Sequence, residues 1–411
     1  MRILHVNYSD AGGGAARAAY RIHRSMVASG ADSSMVVEIA SIGDPTVLSY
    51  CLNGRKILNK IRPHLVKPIM NIFHTKNNSL HSIALLPSDL PNMINNSDVD
   101  LVNLHWINSE MLSVADISRI RKPLFWTLHD MWPICGAEHY ATDDRWLTGY
   151  FFCNRPASEK GFDLNRWVWR RKIKSWKRPI HIIAPSHWLA ECARKSQLMR
   201  RWEVSVIHYP IDTDKWKPIE KGFARDLLGL PKDRRFLLFG AQGGTQDPRK
   251  GFDLLCSTLE KLRQNSFPVE VLIFGETSPR NPPDLGVPIH YAGKLSDDLS
   301  LRALYCAADA FILPSRQDNL PNTGIEAMAC GTPIIAFNVG GLPDLVVHRE
   351  TGWLARQFDA DDMASGVKWV LSDAARHARM RELCRQSAVS RFSYKVISEN
   401  YSNLYMGKLG F

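Results

Sequence analysis

Residues 313–333 read Leu-Pro-Ser-Arg-Gln-Asp-Asn-Leu-Pro-Asn-Thr-Gly-Ile-Glu-Ala-Met-Ala-Cys-Gly-Thr-Pro. An apolar strand ending at Leu313 runs into a polar loop. Pro321 and Asn322 then open a short helix, since a proline there gives up only an amide that the first turn cannot pair. The remaining first-turn amides can meet an anion. Gly331 ends the helix, and the apolar strand 333–337 follows with almost no connection. Strand, loop, helix and strand in so short a span is the unit of a parallel α/β sheet, whose ligands gather beyond the carboxyl ends of the strands. Two carboxylates, Asp318 and Glu326, flank the anion site. That pairing is odd for phosphate alone. It suits a ligand with both phosphates and hydroxyls, because carboxylates accept from hydroxyls while amides and a cation neutralise phosphate. After the next strand, Gly340-Gly341 adds a glycine pair at the same edge.

The same rhythm extends in both directions. Apolar runs at 3–6, 35–39, 99–104, 124–128 and 180–184 alternate with helix-length segments, and Ser186 is placed to cap a helix reaching Lys195. A strand at 204–208 leads into Tyr-Pro-Ile-Asp-Thr-Asp, where Pro210 disfavours a continuing helix. The alternation restarts at 236–239, 269–274, 289–292, 310–313 and 333–337. The spacing predicts an α/β protein of two Rossmann-like, doubly wound parallel-sheet domains, 1–208 and 209–390. A C-terminal helix, 391–411, can return to the first domain. Two such sheets are expected to face each other across a ligand-binding cleft.

A chain of 411 residues exceeds what one core usually organises. Its hydrophobic share of 45% and charged share of 23% are those of a folded globular protein rather than a disordered or fibrous one. The opening Met-Arg-Ile-Leu-His-Val reads as a first strand rather than a secretory leader, and no run of about 18 uncharged apolar residues occurs. The expected setting is the cytoplasm, with any membrane contact peripheral, on the inner face of the plasma membrane. Eight scattered cysteines suit a reducing compartment. A net charge of +11 favours acidic partners: phosphorylated ligands, anionic lipid or nucleic acid.

Three more stretches end strands. Gly12, Gly13 and Gly14 follow the first strand and open an apolar-faced helix with Ala18, Ile22 and Met26. They let backbone amides approach a ligand, or they make a tight turn. His129, beside Asp130, ends the strand 124–128. An imidazole there can exchange a proton with a reacting hydroxyl, or sit hydrogen-bonded in a packed loop. In the second half, a glycine turn at 239–244 precedes Arg249, Lys250 and Gly251. Two cations at a helix start oppose its dipole, so they read as a diphosphate clamp or a solvated basic turn.

Together these residues resemble the family-4 glycosyltransferases of GT-B fold. In that family two acids separated by seven residues precede an Ala-Met-Ala-x-Gly-x-Pro run and a Gly-Gly pair. Asp318 stands where glutamate is usual, while Glu326, Ala327, Met328, Ala329, Gly331, Pro333, Gly340 and Gly341 match, as does the turn Thr351-Gly352-Trp353-Leu354. The likeness runs over most of the chain, through the glycine loop, His129, Ala184-Pro185-Ser186 and Lys250-Gly251. It implies a retaining hexosyltransferase with a nucleotide-diphosphate sugar as donor and no obligatory metal, the first domain taking the acceptor and the second the donor. By position, Glu326 binds the nucleotide ribose, Asp318 the hydroxyls of the transferred sugar, Lys250 the diphosphate with help from Arg249, and His129 the sugar or the reacting centre. Gly13, Gly14, Asn319, Leu320, Asn322 and Thr323 complete the donor site. Two departures stand out: Asp318 is one methylene shorter than glutamate, and Ala241 replaces a common arginine ahead of the longer Gly243-Gly244 loop.

The resemblance also implies a lipid-linked saccharide acceptor in bacterial lipopolysaccharide or exopolysaccharide assembly. Residues 165–178 interleave Trp167, Trp169 and Trp176 with cations, and residues 55–67 set Ile57, Leu58, Ile61 and Leu65 among basic residues. Both suit an anionic membrane surface, and both equally suit core-facing helices with a solvated basic side. Cys135, His139 and Cys153 lack the spacing of a zinc pair, and no metal is expected there. Other readings stay open: a sugar-nucleotide epimerase or phosphorylase of the same fold, or a noncatalytic nucleotide-sugar-binding protein. Charge alone suggests nucleic acid, but no nucleic-acid-binding module accompanies it.

Overall fold

The apolar runs fold as the parallel strands their lengths predict. The computed structural model describes residues 1–50, 56–240, 245–278, 284–295 and 297–410. It divides into two compact units, Met1–His208 with the tail from Ser398, and Tyr209–Ile397.

The first unit contains β1 (Arg2–Ser9), β2 (Asp32–Ile39), β3 (Val47–Ser49), β4 (Phe73–His74), β5 (Leu101–Leu104), β6 (Leu124–Thr127), β7 (Lys160–Gly161), β8 (His181–Ala184) and β9 (Val204–Val206). Seven of them form one sheet in the order β3-β2-β1-β5-β6-β8-β9, and β4 and β7 pair as a separate antiparallel ribbon. Register sets His5 beside Asn103 and Leu104 beside Trp126, so the two faces of the sheet differ sharply. One face carries Leu4, Val6, Val102, Leu104, Trp126 and Leu128 into the main core with Leu90, Ile94, Ile117 and Trp132. The other carries His5, Asn103, His105 and Thr127, all buried. Buried polar groups need partners. The C-terminal helix Tyr394–Leu409 supplies two: Asn103 Nδ2 donates to the Tyr405 hydroxyl at 2.8 Å, and Thr127 Oγ1 lies 3.2 Å from the Tyr401 hydroxyl.

The helix Gly14–Ala28 buries Ala18, Ile22 and Met26 at the expected helical spacing. Ser186 caps His187–Lys195 by accepting from the Leu189 amide. In the basic segment, the helix Leu164–Ser175 turns Leu164, Val168, Trp169 and Lys172 inward. Lys172 Nζ donates to the carbonyls of Trp132, Cys135 and Gly136 and lies 3.8 Å from the Trp132 ring centroid. Trp176 is buried as well. The core-facing alternative therefore holds for Trp169, Lys172 and Trp176, leaving Arg170, Lys174, Lys177 and Arg178 exposed. Arg62 is spent on the carbonyls of Leu86, Pro87 and Glu110. Arg55 and the side chains of Ile57 and Leu58 lie outside the described residues.

The second unit contains β10 (Phe236–Gly240), β11 (Glu270–Phe274), β12 (Ile289–Gly293), β13 (Ala310–Leu313), β14 (Ile334–Phe337) and β15 (Gly352–Ala355), parallel in the order β12-β11-β10-β13-β14-β15. β10, β13 and β14 are buried throughout, as near-continuous apolar runs require. The turn at Thr351 opens β15, a strand the sequence pattern did not reveal. Chain order reverses between β10 and β13, and in the first sheet between β1 and β5. Open parallel sheets bind ligands at such switch points. Among the described residues no helix is long and apolar enough to cross a membrane.

Candidate active site

In the second unit the residues on either side of the switch point converge. Beyond β10, the short turn Pro248–Lys250 places Lys250 Nζ 2.6 Å from Asp318 Oδ2, in the loop beyond β13. Two glycines make this approach possible. Gly251 has φ +69, and a Cβ there would stand 1.9 Å from the Pro314 carbonyl oxygen, so only glycine lets the Lys250 turn press on the loop. The Arg316 amide donates to the Arg249 carbonyl at 2.7 Å and ties the two segments. From the other side, Gly340 has φ +55 with its virtual Cβ 2.2 Å from the Asp318 carbonyl oxygen, which accepts from the Gly341 amide at 3.0 Å. Asp318 Oδ1 accepts from the Asn319 amide at 3.0 Å.

The helix Asn322–Ala329 starts at Pro321 without any side-chain cap. Glu326 sits one turn in, 1% exposed, and its Oε2 accepts from the Tyr305 hydroxyl at 2.9 Å. Tyr305, on the helix Asp298–Ala307, is wholly buried among Phe274, Phe311 and Trp216. Sequence reasoning missed it. The available signal was that a tyrosine on an apolar helix face needs a partner for its hydroxyl. Asn319, Leu320 and Asn322 are buried and Thr323 is half-buried. Arg249 is held by Asp247 at 2.6 and 3.2 Å. Ala241 to Gly244, and with them the altered loop, lie outside the described residues.

Gly13, Gly14 and His129 belong to the first unit. Gly13 precedes the first turn of Gly14–Ala28, again without a side-chain cap, directly beyond β1. His129, two residues beyond β6, has Nε2 3.1 Å from Nδ1 of His105, whose Nε2 is 2.9 Å from Nδ1 of His5. Burial lowers His129 to about 4 against the opposing pull of Asp130, and drives His5 and His105 well below the ordinary imidazole range. Burial raises Asp130 too, but His139 and the Trp132 amide bring it below the usual carboxylate range. Its Oδ2 lies 2.6 Å from His139 Nδ1 and accepts from Trp106 Nε1 at 3.1 Å, while His139 Nε2 meets Ser82 Oγ at 2.8 Å. Cys135 is buried and Cys153 exposed. The structure therefore gathers Lys250, Asp318 and Asn319 around the loop that leads into the helix bearing Glu326. It sets His129 in a histidine chain that nothing in the sequence announced.

Two family models match the chain: Glycosyltransferase Family 4 over residues 12–215 and Glycosyl transferases group 1 over residues 234–373. D-inositol 3-phosphate glycosyltransferase 2 of Catenulispora acidiphila is 30% identical over 217 residues, 49% of this chain and 50% of that protein. Alpha-maltose-1-phosphate synthase of Mycobacterium tuberculosis is 26% identical over 263 residues, 57% of this chain and 66% of that one. The chain thus spans about half the length of the first of these relatives. Solved structures of similar fold include sucrose-phosphate synthase from Thermosynechococcus elongatus, with TM-score 0.68, 18% identity and all of both chains covered. Another is HepE of Anabaena in complex with UDP and glucose, with TM-score 0.67, 16% identity and 99% and 100% covered. Each family match falls almost wholly on one parallel-sheet unit, and the acid-loop-helix segment lies inside the second. The chain belongs to the family-4 glycosyltransferases of GT-B fold.

Proposed function

We propose that this protein is a retaining glycosyltransferase that moves a hexose from a nucleoside-diphosphate sugar to a lipid-linked saccharide in bacterial polysaccharide assembly. The observation that carries the reading is the Lys250–Asp318 ion pair at the edge that also bears the uncapped Asn322–Ala329 helix and the buried Glu326 carboxylate. A diphosphate takes Lys250 and the first-turn amides, the transferred sugar's hydroxyls donate to Asp318, and the ribose hydroxyls donate to Glu326. As the bond from the sugar's anomeric carbon to the phosphate oxygen breaks, charge builds on the diphosphate, where a preplaced ammonium and helix amides stabilise it without reorganising. The acceptor hydroxyl attacks the anomeric carbon from the leaving-group side and passes its proton to the departing phosphate oxygen. The complex of HepE with UDP and glucose makes UDP the first nucleotide to try.

The test is the melting temperature of the full chain with UDP, GDP, ADP, CDP and dTDP. One of them at 100 times its dissociation constant should stabilise the protein by about 2.7 kcal/mol, and Lys250→Ala should remove most of the gain. Absence of stabilisation by all five would sink the reading.

We place the enzyme in the cytoplasm, docked peripherally on anionic lipid through the exposed rings of Phe151, Phe152 and Phe162, rather than through the buried tryptophans. Arg166 stands 3.9 Å above the Phe152 ring, and Arg170 and Lys174 are exposed on the same segment. Aromatic rings beside cations favour an anionic interface. Sedimentation with phosphatidylglycerol vesicles should fall at least tenfold in Phe151→Ser/Phe152→Ser. Unchanged sedimentation would remove the membrane assignment.

A further inference from the structure

We infer that Arg316 and Asp253 are positioning residues: they clamp the turn that carries Lys250 onto the acid loop, and the preference of the donor site for a diphosphate depends on that clamp. The inference rests on the reading above, in which Lys250 takes the diphosphate.

Lys250 ends the short turn Pro248–Lys250, and after Gly251 the chain enters the helix Phe252–Gln264. The turn follows β10, whereas Arg316 and Asp318 belong to the loop that follows β13. Their relative place is therefore set by contacts between residues far apart in the chain. Arg316 makes most of them. Its amide donates to the Arg249 carbonyl at 2.7 Å, and its Nη1 donates to the Pro248 carbonyl at 3.1 Å. Its guanidinium also meets the Asp253 carboxylate through two bonds, Nη1 to Oδ1 at 2.7 Å and Nη2 to Oδ2 at 2.5 Å. One residue thus grips the chain on both sides of Lys250: two carbonyls before it and one carboxylate after it. The planar fork of arginine suits this paired geometry, which the single ammonium of a lysine cannot reproduce. Asp253 sits in the first turn of its helix, where a carboxylate also offsets the two cations that precede it.

What the clamp contributes is place rather than stability. The side chain of Arg316 is 37% exposed and that of Asp253 67%, and a pair so open to water adds little to folding. Lys250 and Asp318, 2.6 Å apart, are 19% and 9% exposed. A lysine ammonium rides on a flexible four-carbon stem, so its position follows from where the backbone roots the stem and from the carboxylate it meets. Arg316 fixes the root by holding the turn. It fixes the carboxylate too, because Asp318 lies two residues further along the same loop. Displacing a preplaced group by about an ångström can cost two orders of magnitude in a reaction that depends on it.

The test is isothermal titration of the full chain with UDP and with UMP. Arg316→Gln should weaken UDP binding by about tenfold, the worth of one misplaced charge-assisted hydrogen bond. UMP, which has no outer phosphate, should bind as it does to the wild type. Unchanged UDP affinity, or an equal loss for both nucleotides, overturns the inference. Asp253→Ala separates position from charge. Removing a carboxylate near an anion tightens binding by Coulomb attraction alone, whereas losing the clamp weakens it. Weaker UDP binding is expected, and equal or tighter binding overturns the inference. In a Lys250→Ala background, Arg316→Gln should change UDP affinity no further; an additive loss means that Arg316 acts without Lys250 and overturns it as well. A ligand-free measurement keeps this apart from the functional reading. The rate at which acetic anhydride modifies Lys250, followed by mass spectrometry, should rise several-fold in Arg316→Gln and in Asp253→Ala as the pair with Asp318 loosens. Equal rates overturn the inference whatever the nucleotides do, while raised rates with no nucleotide bound count against the functional reading alone.

Discussion

Replacing Glu326 with alanine is expected to lower kcat/KM for sugar transfer by about two to four orders of magnitude. The carboxylate is 1% exposed and already oriented by the Tyr305 hydroxyl at 2.9 Å, so its acceptor oxygens are fixed before any ligand arrives. Hydrogen bonds to a charged, preoriented group contribute roughly 1.5–3 kcal/mol each. Losing two of them, as the proposed ribose contact requires, gives the stated range, since each 1.4 kcal/mol or so is tenfold. Tyr305→Phe should cost about tenfold in donor affinity, because it removes a buried hydroxyl that donates to Oε2. The two changes report one path. Tyr305 acts through Glu326, so Glu326→Ala/Tyr305→Phe should transfer no worse than Glu326→Ala alone, a coupling that independent sites do not show. Near-normal turnover by Glu326→Ala would remove Glu326 from the site. Additive losses would remove Tyr305 from the path.

That Glu326 was legible in the sequence and Tyr305 was not has a physical cause. Residues 310–337 announce strand, loop, helix and strand through local chemistry: an apolar run, Pro321 at a helix start, Gly331 at its end. Glu326 inherits its place from those boundaries. Tyr305 reaches it from another helix, 21 residues earlier in the chain, and His5 and His105 meet across 100 residues. Contacts of that kind leave no periodicity to read. Lys250 and Asp318 each stand out in the sequence as candidate ligand groups, but their ion pair, which depends on β10 and β13 being neighbours, does not.

Gly251 and Gly340 stand out in the sequence as glycines beside the Lys250 turn and at the sheet edge, but the atoms they admit, the carbonyl oxygens of Pro314 and Asp318, come from a loop about 63 and 22 residues away and leave no local sign. The tryptophan-and-cation pattern at 165–178 left membrane and core equally open, because a buried lysine paired with three carbonyls looks in sequence like any other cation. β3 and the β4–β7 ribbon, of two or three residues per strand, are too short for a period to register.

Acidification should unfold the first unit well above the pH at which its carboxylates protonate. His23 and His129 are held at about 4 in the folded chain by burial, against an ordinary 6.5. The unfolded state therefore takes up protons first as pH falls. Stability from these groups is complete above pH 6.5 and is lost between 6.5 and 4, because folding disfavours the charged form. At pH 4 the loss is about 3 kcal/mol for each of the two. His5 and His105, lowered in the same direction, add to it. Asp44, which hydrogen bonds from Thr46 and Tyr20 hold at about 2 despite burial, contributes in the other window: its stabilisation persists until pH falls below about 3.8. A loss of 6 kcal/mol or so is comparable to the whole stability of many domains, so denaturant midpoints for the first unit should drop steeply from pH 7 to 4.5. His23→Gln can keep the bonds to Ser33 and Thr46 but cannot titrate. It should flatten that drop by about 3 kcal/mol while leaving any transition below pH 3.8 in place. If the variant and the wild type lose stability in parallel from pH 7 to 4.5, the buried histidines are not what acid attacks.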